Sequence, residues 1–450
     1  MHGQLASSGL LLQGVLSHCC APQGESLLRQ EDCQHCRDCQ VRATLGKHKA
    51  TRPGDRVLVA ATGGLSSTSL LHILQQGCNT DTKRLLFEPS IIYVDEGSVF
   101  GLSKADREKR IAEVVDILQT FGFPVFVALI ENCGNDNISP TRGDETVRID
   151  PNIAEVFGKS FTSLKEGSAK QELLLHLRRR TLVRAARELE CSKVFTAEHG
   201  TDLAVDLLSG VAGGAGGSLA QRIGFKDQRD GDVTVMRPMR DVSGKEVALY
   251  SHLHHLSTVT KGKTWGTGEN VLYSLHKLTE DFLVGLQQDF PATIPTIFKT
   301  GDKLCAEPNE AEGCLLCQGA LDTDDDDHCA LQATKFSSLV SERGRDEQLA
   351  MNASTALETP LQPSNTNETQ CDGEKKADKC CGEGDGSCRS SGSNSGLPSL
   401  SDVMEQLCYS CRRILAKVKQ VQDLPAFVLK EAEVRRRRRE MRNEISDFLL

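Results

Sequence analysis

The stretch from Arg56 to Gly77 constrains the fold most. Arg56-Val-Leu-Val-Ala-Ala61 is a short apolar run with β-branched Val57 and Val59, the pattern of a buried strand. Thr62-Gly63-Gly64 supplies a turn, Ser66 to Gln76 has helical spacing, and Gly77 reads as its stop. A strand that passes through glycines into a hydroxyl-rich helix start can cradle a phosphate. Glycine lets an anion approach the backbone, and the helix N-terminus offers unpaired N–H groups and a favourable dipole. Neither G-x-x-x-x-G-K-S/T nor G-x-G-x-x-G is present, and an ordinary strand-to-helix turn meets the same pattern.

The pattern continues to about Tyr250. Ser90–Val94, Val125–Ile130, Lys193–Thr196 and Val233–Met236 read as further strands. Between them, Ser103 caps a helix whose apolar positions Ile111, Val114, Val115 and Leu118 follow helical spacing, and Gln171–Leu189 is a second amphipathic helix. Alternation of this kind predicts an α/β fold, a parallel sheet with helices on both faces. Ligands bind at the carboxyl ends of such strands, so Thr62–Ser67, Asp95–Gly97 and Ala197–Asp202 are expected to converge. Residues 131–165 read as a polar insertion, Val211–Ser218 as a mobile glycine-rich loop or linker, and 245–290 as mostly helical with Leu249, Leu253 and Leu256 as core.

With 450 residues, 38% of them hydrophobic, the chain can bury a full core and more than one domain. A net charge of −9 excludes a generic polycation, so any nucleic-acid surface must be a local patch. The 18 cysteines fall partly in CxxC pairs within a long chain, which predicts thiols and metal in a reducing, cytoplasmic setting. Residues 9–17 are apolar but follow no basic residue, and no run approaches a membrane span.

Cys314-Leu-Leu-Cys317 precedes acidic Asp324–Asp327 and a Ser-, Gly- and Glu-rich tract over 340–400, expected to be disordered, with Cys371, Cys380, Cys381 and Cys388 as free thiols. Cys408-Tyr-Ser-Cys411 follows it. The two pairs are predicted to be halves of one four-cysteine zinc site, because closure entropy grows slowly with the length looped out. Cys33, Cys36 and Cys39 form a second candidate zinc cluster, whose fourth ligand Cys19, Cys20 or His35 could supply. Two basic sets are candidate phosphate contacts: Arg178, Arg179 and Arg184, with Arg180 and Arg187, on one helix, and Arg435, Arg436 and Arg437 in the run Arg435–Arg439. Near Glu431, Glu433 and Glu440, that run also fits a solvated face.

Thr62-Gly-Gly-Leu-Ser-Ser67 resembles the S-G-G-x-D-S loop of the PP-loop ATP pyrophosphatases. Cys36-Arg-Asp-Cys39, Val41–Lys47, Tyr93-Val-Asp-Glu-Gly97, Arg237-Pro-Met-Arg-Asp241, Cys314–Cys317 and Gln406–Cys411 are similar, in order, to the cytoplasmic tRNA 2-thiolation protein 2 family. The resemblance implies a Rossmann-like PP-loop fold, akin to the adenine nucleotide alpha hydrolases, with zinc-binding terminal segments. It implies Thr62, Gly63, Gly64, Ser66, Ser67 and Asp95 as a nucleotide site for ATP and magnesium. It also implies a subunit for 2-thiolation of the wobble uridine in tRNAs for Lys, Glu and Gln. Its partners would be tRNA, a homologous catalytic PP-loop subunit and a thiocarboxylated ubiquitin-related modifier that delivers sulfur. Residues 1–50 would be a Cys-rich segment, 51–250 the PP-loop domain, 251–300 a helical extension, and 301–339 and 401–450 the two zinc-site halves flanking 340–400.

The departures point to an impaired subunit. Ser66 stands where the signature has Asp, only Thr196 and Asp202 match the T-G-H-N-x-D-D segment, and residues 158–175 lack the cysteine of active thiolases. Sulfur transfer by this chain alone would lack its carrier thiolate. A self-sufficient adenylating enzyme and a zinc-stabilised RNA adaptor are the alternatives.

Overall fold

A computed structural model describes residues 37–78, 85–134, 139–164, 166–259, 274–304, 313–321, 399–416, 418, 421 and 424–446. Helix α1 (Arg37–Lys47) leads to strand β1 (Arg56–Ala60) and helix α2 (Leu65–Cys78), then β2 (Glu88–Asp95), α3 (Lys104–Gln119) and β3 (Val125–Leu129). A 3-10 turn (Ile130–Gly134), β4 (Thr141–Arg142), α4 (Pro151–Ser163), α5 (Gly167–Glu188) and β5 (Lys193–Phe195) follow. Helices α6 (Gly200–Ala212) and α7 (Gly216–Ile223) precede β6 (Lys226–Asp227), β7 (Thr234–Met236) and α8 (Gly244–Leu253). The remainder is helical: α9 (Leu275–Asp289), α10 (Thr293–Gly301), α11 (Leu400–Glu405), α12 (Tyr409–Leu415) and α13 (Ala426–Ser446).

The sheet order is β4-β3-β2-β1-β5-β7-β6. The five strands expected from sequence form its parallel centre, with Val59 opposite Ile91 on one side and Phe195 on the other. Strands β4 and β6 add antiparallel edges of two residues each. Chain order reverses at β1: β2 lies on one flank and β5 on the other. The crevice of a doubly wound sheet opens at that point.

Period-two alternation explains the two cores. Val57, Val59, Ile91, Tyr93, Val125 and Val127 face α2 and α3, with Leu70, Leu74, Ile111 and Val114 against them. Leu58, Ile92, Ala128 and Val194 point the other way, onto Leu182, Val183, Ala185 and Ala186 of α5. Strands buried on both faces read as unbroken apolar runs, which is why the sequence betrayed them. The first half of α5 leaves the sheet: Leu173, Leu174 and Leu177 join a third core with Cys314, Cys317, Cys408 and Cys411.

Four expectations change. Gly77 does not end α2 but lies inside it, where a Cβ would come within 2.5 Å of Leu85. The insertion at 131–165 contains α4, capped by Asp150 with Pro151 at its start. Val211–Ser218 is no free loop but a tight turn between α6 and α7. Gly214, at φ +76°, lets the Tyr409 ring approach to 2.3 Å of where a Cβ would sit. On α8 the buried face is Val247, Tyr250 and Ser251, while Leu249 and Leu253 are half-buried. Cys33, Cys36, the acidic run at 324–327, the tract at 340–398 and its cysteines lie outside the described residues; Cys39 lies on α1.

Candidate functional site

Two places concentrate the residues singled out by sequence. The first is the strand-end crevice. Thr62–Ser67 leaves β1, Glu96–Gly97 follows β2, and Thr196–Asp202 leaves β5 to start α6. Gly63 takes φ +72°, and the turn closes on itself: the Thr62 N–H donates to Ser67 Oγ at 3.2 Å, which donates to the Gly64 carbonyl at 3.0 Å. The Val259 N–H donates to the Gly63 carbonyl at 2.8 Å, and Val259 Cγ2 lies 3.1 Å from where a Cβ on Gly63 would sit. A segment of the chain itself thus lies across the glycine turn. Ser66 is half-buried and Thr62 exposed.

Asp95 is 1% exposed and bound to Arg107, whose Nε donates to its carboxylate at 2.7 Å. The same guanidinium donates from Nη2 to Glu131 at 2.6 Å, and Ser98 Oγ donates to Glu131 at 2.9 Å. Arg107 is itself 1% exposed, and Gly97 admits it, since a Cβ there would lie 2.5 Å from Arg107 Cγ. Desolvation pushes the Asp95 carboxyl above its usual range against the opposing charge and hydrogen bond of Arg107, and the nearby Glu131 carboxylate adds to the rise. Glu96 is engaged as well, by Arg178 Nε at 2.5 Å and Nη2 at 3.0 Å. On the β5 side, His199 caps α6 by accepting the Asp202 N–H at 3.3 Å, and Arg237 Nε donates to Glu198 at 2.6 Å. Sequence reasoning missed Arg107 and Glu131. A basic residue inside an amphipathic helix and a carboxylate just past a strand carry no mark of burial.

The second place is the cysteine cluster. Cys314 and Cys317 lie on the short stretch 313–321, and Cys408 and Cys411 flank the start of α12. All four are buried, and their sulfurs lie within 4.8 Å of one another, with Cys317 and Cys408 at 3.7 Å. A tight turn holds the first pair: the Gly319 N–H donates to Cys317 Sγ at 3.3 Å and the Cys314 N–H to the Gly319 carbonyl at 2.8 Å. The halves are joined by the Leu315 N–H to the Gln406 carbonyl at 3.1 Å. Arg229 Nη1 donates to the Cys317 carbonyl at 2.9 Å, and His176 Nε2 lies 3.9 Å from Cys411 Sγ. Burial pushes His176 down to about 4, so its ring is neutral. Burial opposes ionisation of Cys314, but hydrogen bonds from the other three thiols hold it well below an ordinary thiol, while Cys411, hydrogen-bonded to Cys314, is pushed well above. Four sulfurs competing for protons in a dry pocket are a donor set that a cation completes, and the cluster can hold a metal ion. Neither Cys133, pushed up to about 12 by burial, nor Cys191 has such company.

The basic candidates are mostly spoken for. Besides Arg178 with Glu96, Arg179 pairs with Asp227 at 3.0 Å and Asp230 at 2.5 Å, and Arg184 donates to the Cys133 carbonyl at 2.9 Å. On α13, Arg435 is 5% exposed and donates to the Gly313 carbonyl at 2.5 Å, beside Cys314. Arg436 lies 3.8 Å from Glu440, and Arg437 pairs with Glu433 at 2.5 Å.

Topology, glycine turn and cysteine cluster together define a doubly wound, Rossmann-like α/β protein with an added four-cysteine cluster. The family model for cytoplasmic tRNA 2-thiolation protein 2 matches residues 274–413, the part that carries all four cysteines. A protein of that name from Danio rerio is 33% identical over 474 residues, covering 92% of this chain and 90% of its own length. Its counterpart from Homo sapiens is 33% identical over 482 residues, covering 92% and 89%. This chain belongs to the cytoplasmic tRNA 2-thiolation protein 2 family. Among solved structures, the U34-tRNA thiolase NcsA from Methanococcus maripaludis, with its 4Fe-4S cluster, aligns at TM-score 0.44 and 16% identity over 66% of this chain and 95% of that one.

Proposed function

We propose that this chain is a cytoplasmic, non-catalytic subunit of the machinery that places sulfur on C2 of the wobble uridine in tRNAs for Lys, Glu and Gln. A homologous PP-loop partner activates the uridine oxygen with ATP and releases pyrophosphate. Sulfur from a thiocarboxylated ubiquitin-related modifier then displaces the adenylate. The observation that carries this reading is one-third identity to tRNA 2-thiolation proteins along 92% of the chain.

The assignment of a supporting role rests on the crevice. Asp95 is held by Arg107, the Thr62 N–H is taken by Ser67, and Ser66 offers no carboxylate, so these groups expected to handle ATP and magnesium already have partners or lack charge. Thr62, Gly64 and Ser67 keep the outline of a phosphate turn without its electrostatics. At the cysteine cluster the metal is zinc: a tetrahedron with zinc–sulfur bonds of about 2.3 Å sets its sulfurs roughly 3.8 Å apart. The Cys317–Cys408 separation of 3.7 Å fits that edge. Such a closed four-sulfur site is structural, and it fixes α11 to α13 against α5.

The test is genetic and chemical. Deleting the gene should abolish 2-thiouridine in tRNAs for Lys, Glu and Gln, and this chain should restore it. Unchanged thiolation overturns the reading. In vitro, the purified chain should release no pyrophosphate with tRNA and ATP until the partner is added; robust release by the chain alone would make it the enzyme.

A further inference from the structure

Helix α13 is two elements in one. In its first three turns Phe427, Val428, Ala432 and Arg435 are buried, with Phe427 under the Arg180 guanidinium at 4.4 Å and Arg435 clamped to the Gly313 carbonyl. From Arg437 onward the described residues are exposed. The helix overhangs the body by about 10 residues, roughly 15 Å at 1.5 Å per residue.

The charges on the overhang are sorted. Residues 436–446 carry five arginines and two glutamates. Arg436 lies near Glu440 and Arg437 pairs with Glu433, which leaves Arg438, Arg439 and Arg442 exposed. At about 100° per residue, these three fall within a sector of roughly 100°. On the same wheel, that sector coincides with the one holding Phe427, Val428, Ala432 and Arg435. The face that is anchored in the first half therefore becomes arginine in the second, and the guanidiniums continue the body-facing side of the helix past the edge of the body. This placement suits a polyanion that lies against the cysteine module and is gripped from above.

We propose that Arg438, Arg439 and Arg442 form an arm for the RNA phosphate backbone, aimed by the Arg435–Gly313 clamp beside the metal centre. The proposal rests on the tRNA reading above and deepens it by naming the contact surface. Guanidiniums on one helix face can displace counterions from successive phosphates, so the binding is sequence-independent and salt-dependent. Arg178 and Arg179, bound to Glu96, Asp227 and Asp230, do not share the role.

The experiment uses the full chain and an unmodified tRNA transcript for Lys, with affinity measured by fluorescence anisotropy across a salt series. The variant R438E/R439E/R442E should bind at least tenfold more weakly, with the slope of log affinity against log salt shallower by about 2 to 3. The variant R438K/R439K/R442K should bind within about threefold of the parent, because it keeps the charge. Zinc content and thermal midpoint should match the parent in both. Unaltered tRNA affinity and salt slope in the glutamate variant overturns the arm, as does equal weakening in the lysine variant. The family reading is judged separately, by thiolation in the deletion strain.

Discussion

The strand-end crevice and the cysteine cluster are both buried and rich in polar groups, yet they are completed differently. In the crevice the chain satisfies its own polar groups: Arg107 bonds both Asp95 and Glu131, Arg178 takes Glu96, and Val259 takes the Gly63 carbonyl. In the cluster, the four sulfurs have mostly one another, with the Gly319 N–H and the His176 ring at the margin. Desolvated polar groups must find partners within the fold or bind them from outside. The crevice takes the first course, and the cluster is built to take the second, since its four sulfurs could hold a metal ion.

The largest expected effect tests the cluster. Cys314→Ser and Cys408→Ser should each remove the bound metal and destabilise the protein by on the order of 5 kcal/mol or more, as read by metal content and thermal denaturation. If only one of the two lost metal, the cysteines would not form one site. Next comes the crevice. Arg107→Met should cost about 3–5 kcal/mol in a denaturant titration, because it leaves two buried carboxylates uncompensated. A cost below about 1 kcal/mol would mean that the network is not closed.

Acid should weaken the ion pairs of the fold that surrounds both regions. Burial alone would raise Asp227, but hydrogen bonds and charge from Arg229 and Arg179 hold it well below the usual carboxylate range, and Arg222 and His276 do the same for Asp206. A depressed folded value contributes stability above the unfolded value near 4 that is lost as pH falls through the folded one. Stability should therefore decline below about pH 4, and Asp227→Asn should remove about 2 kcal/mol of that pH dependence. A wild-type curve flat from pH 6 to pH 2 would contradict it. The smallest effect is at the glycine turn: Gly63→Ala, at φ +72° and against Val259, should cost about 1–2 kcal/mol. An unchanged denaturation midpoint would show that the turn is looser than its contacts imply.

Much of this was legible in the sequence. Apolar runs over Val57–Val59 and Ile91–Tyr93 mark central strands, and the two CxxC pairs, read as halves of one site, are the pairs that the fold brings together from 313–321 and 399–416. The edge strands Thr141–Arg142 and Lys226–Asp227 are too short to show a period. Helix α4 was signalled by Asp150-Pro151 but hidden by the polar stretch before it. Burial of Arg107 depends on Gly97 and on a carboxylate 24 residues away, a three-dimensional coincidence that no local pattern encodes. The arginines of α5 looked like one basic face, and each acidic partner that neutralises them comes from another element.

The Leu315–Gln406 hydrogen bond has a consequence for how the chain can be cut. Both sides of the cysteine cluster are moored to the body independently, one through Arg229 to the Cys317 carbonyl and the other through Leu407, Ile414 and Leu415 in the core. A protease nick between Leu321 and Ser399 should therefore leave two polypeptides that co-migrate as one particle. The peptide bond between them would be dispensable, because the shared apolar core holds both sides to the body, and a chelator should loosen the nicked particle without being enough to part it.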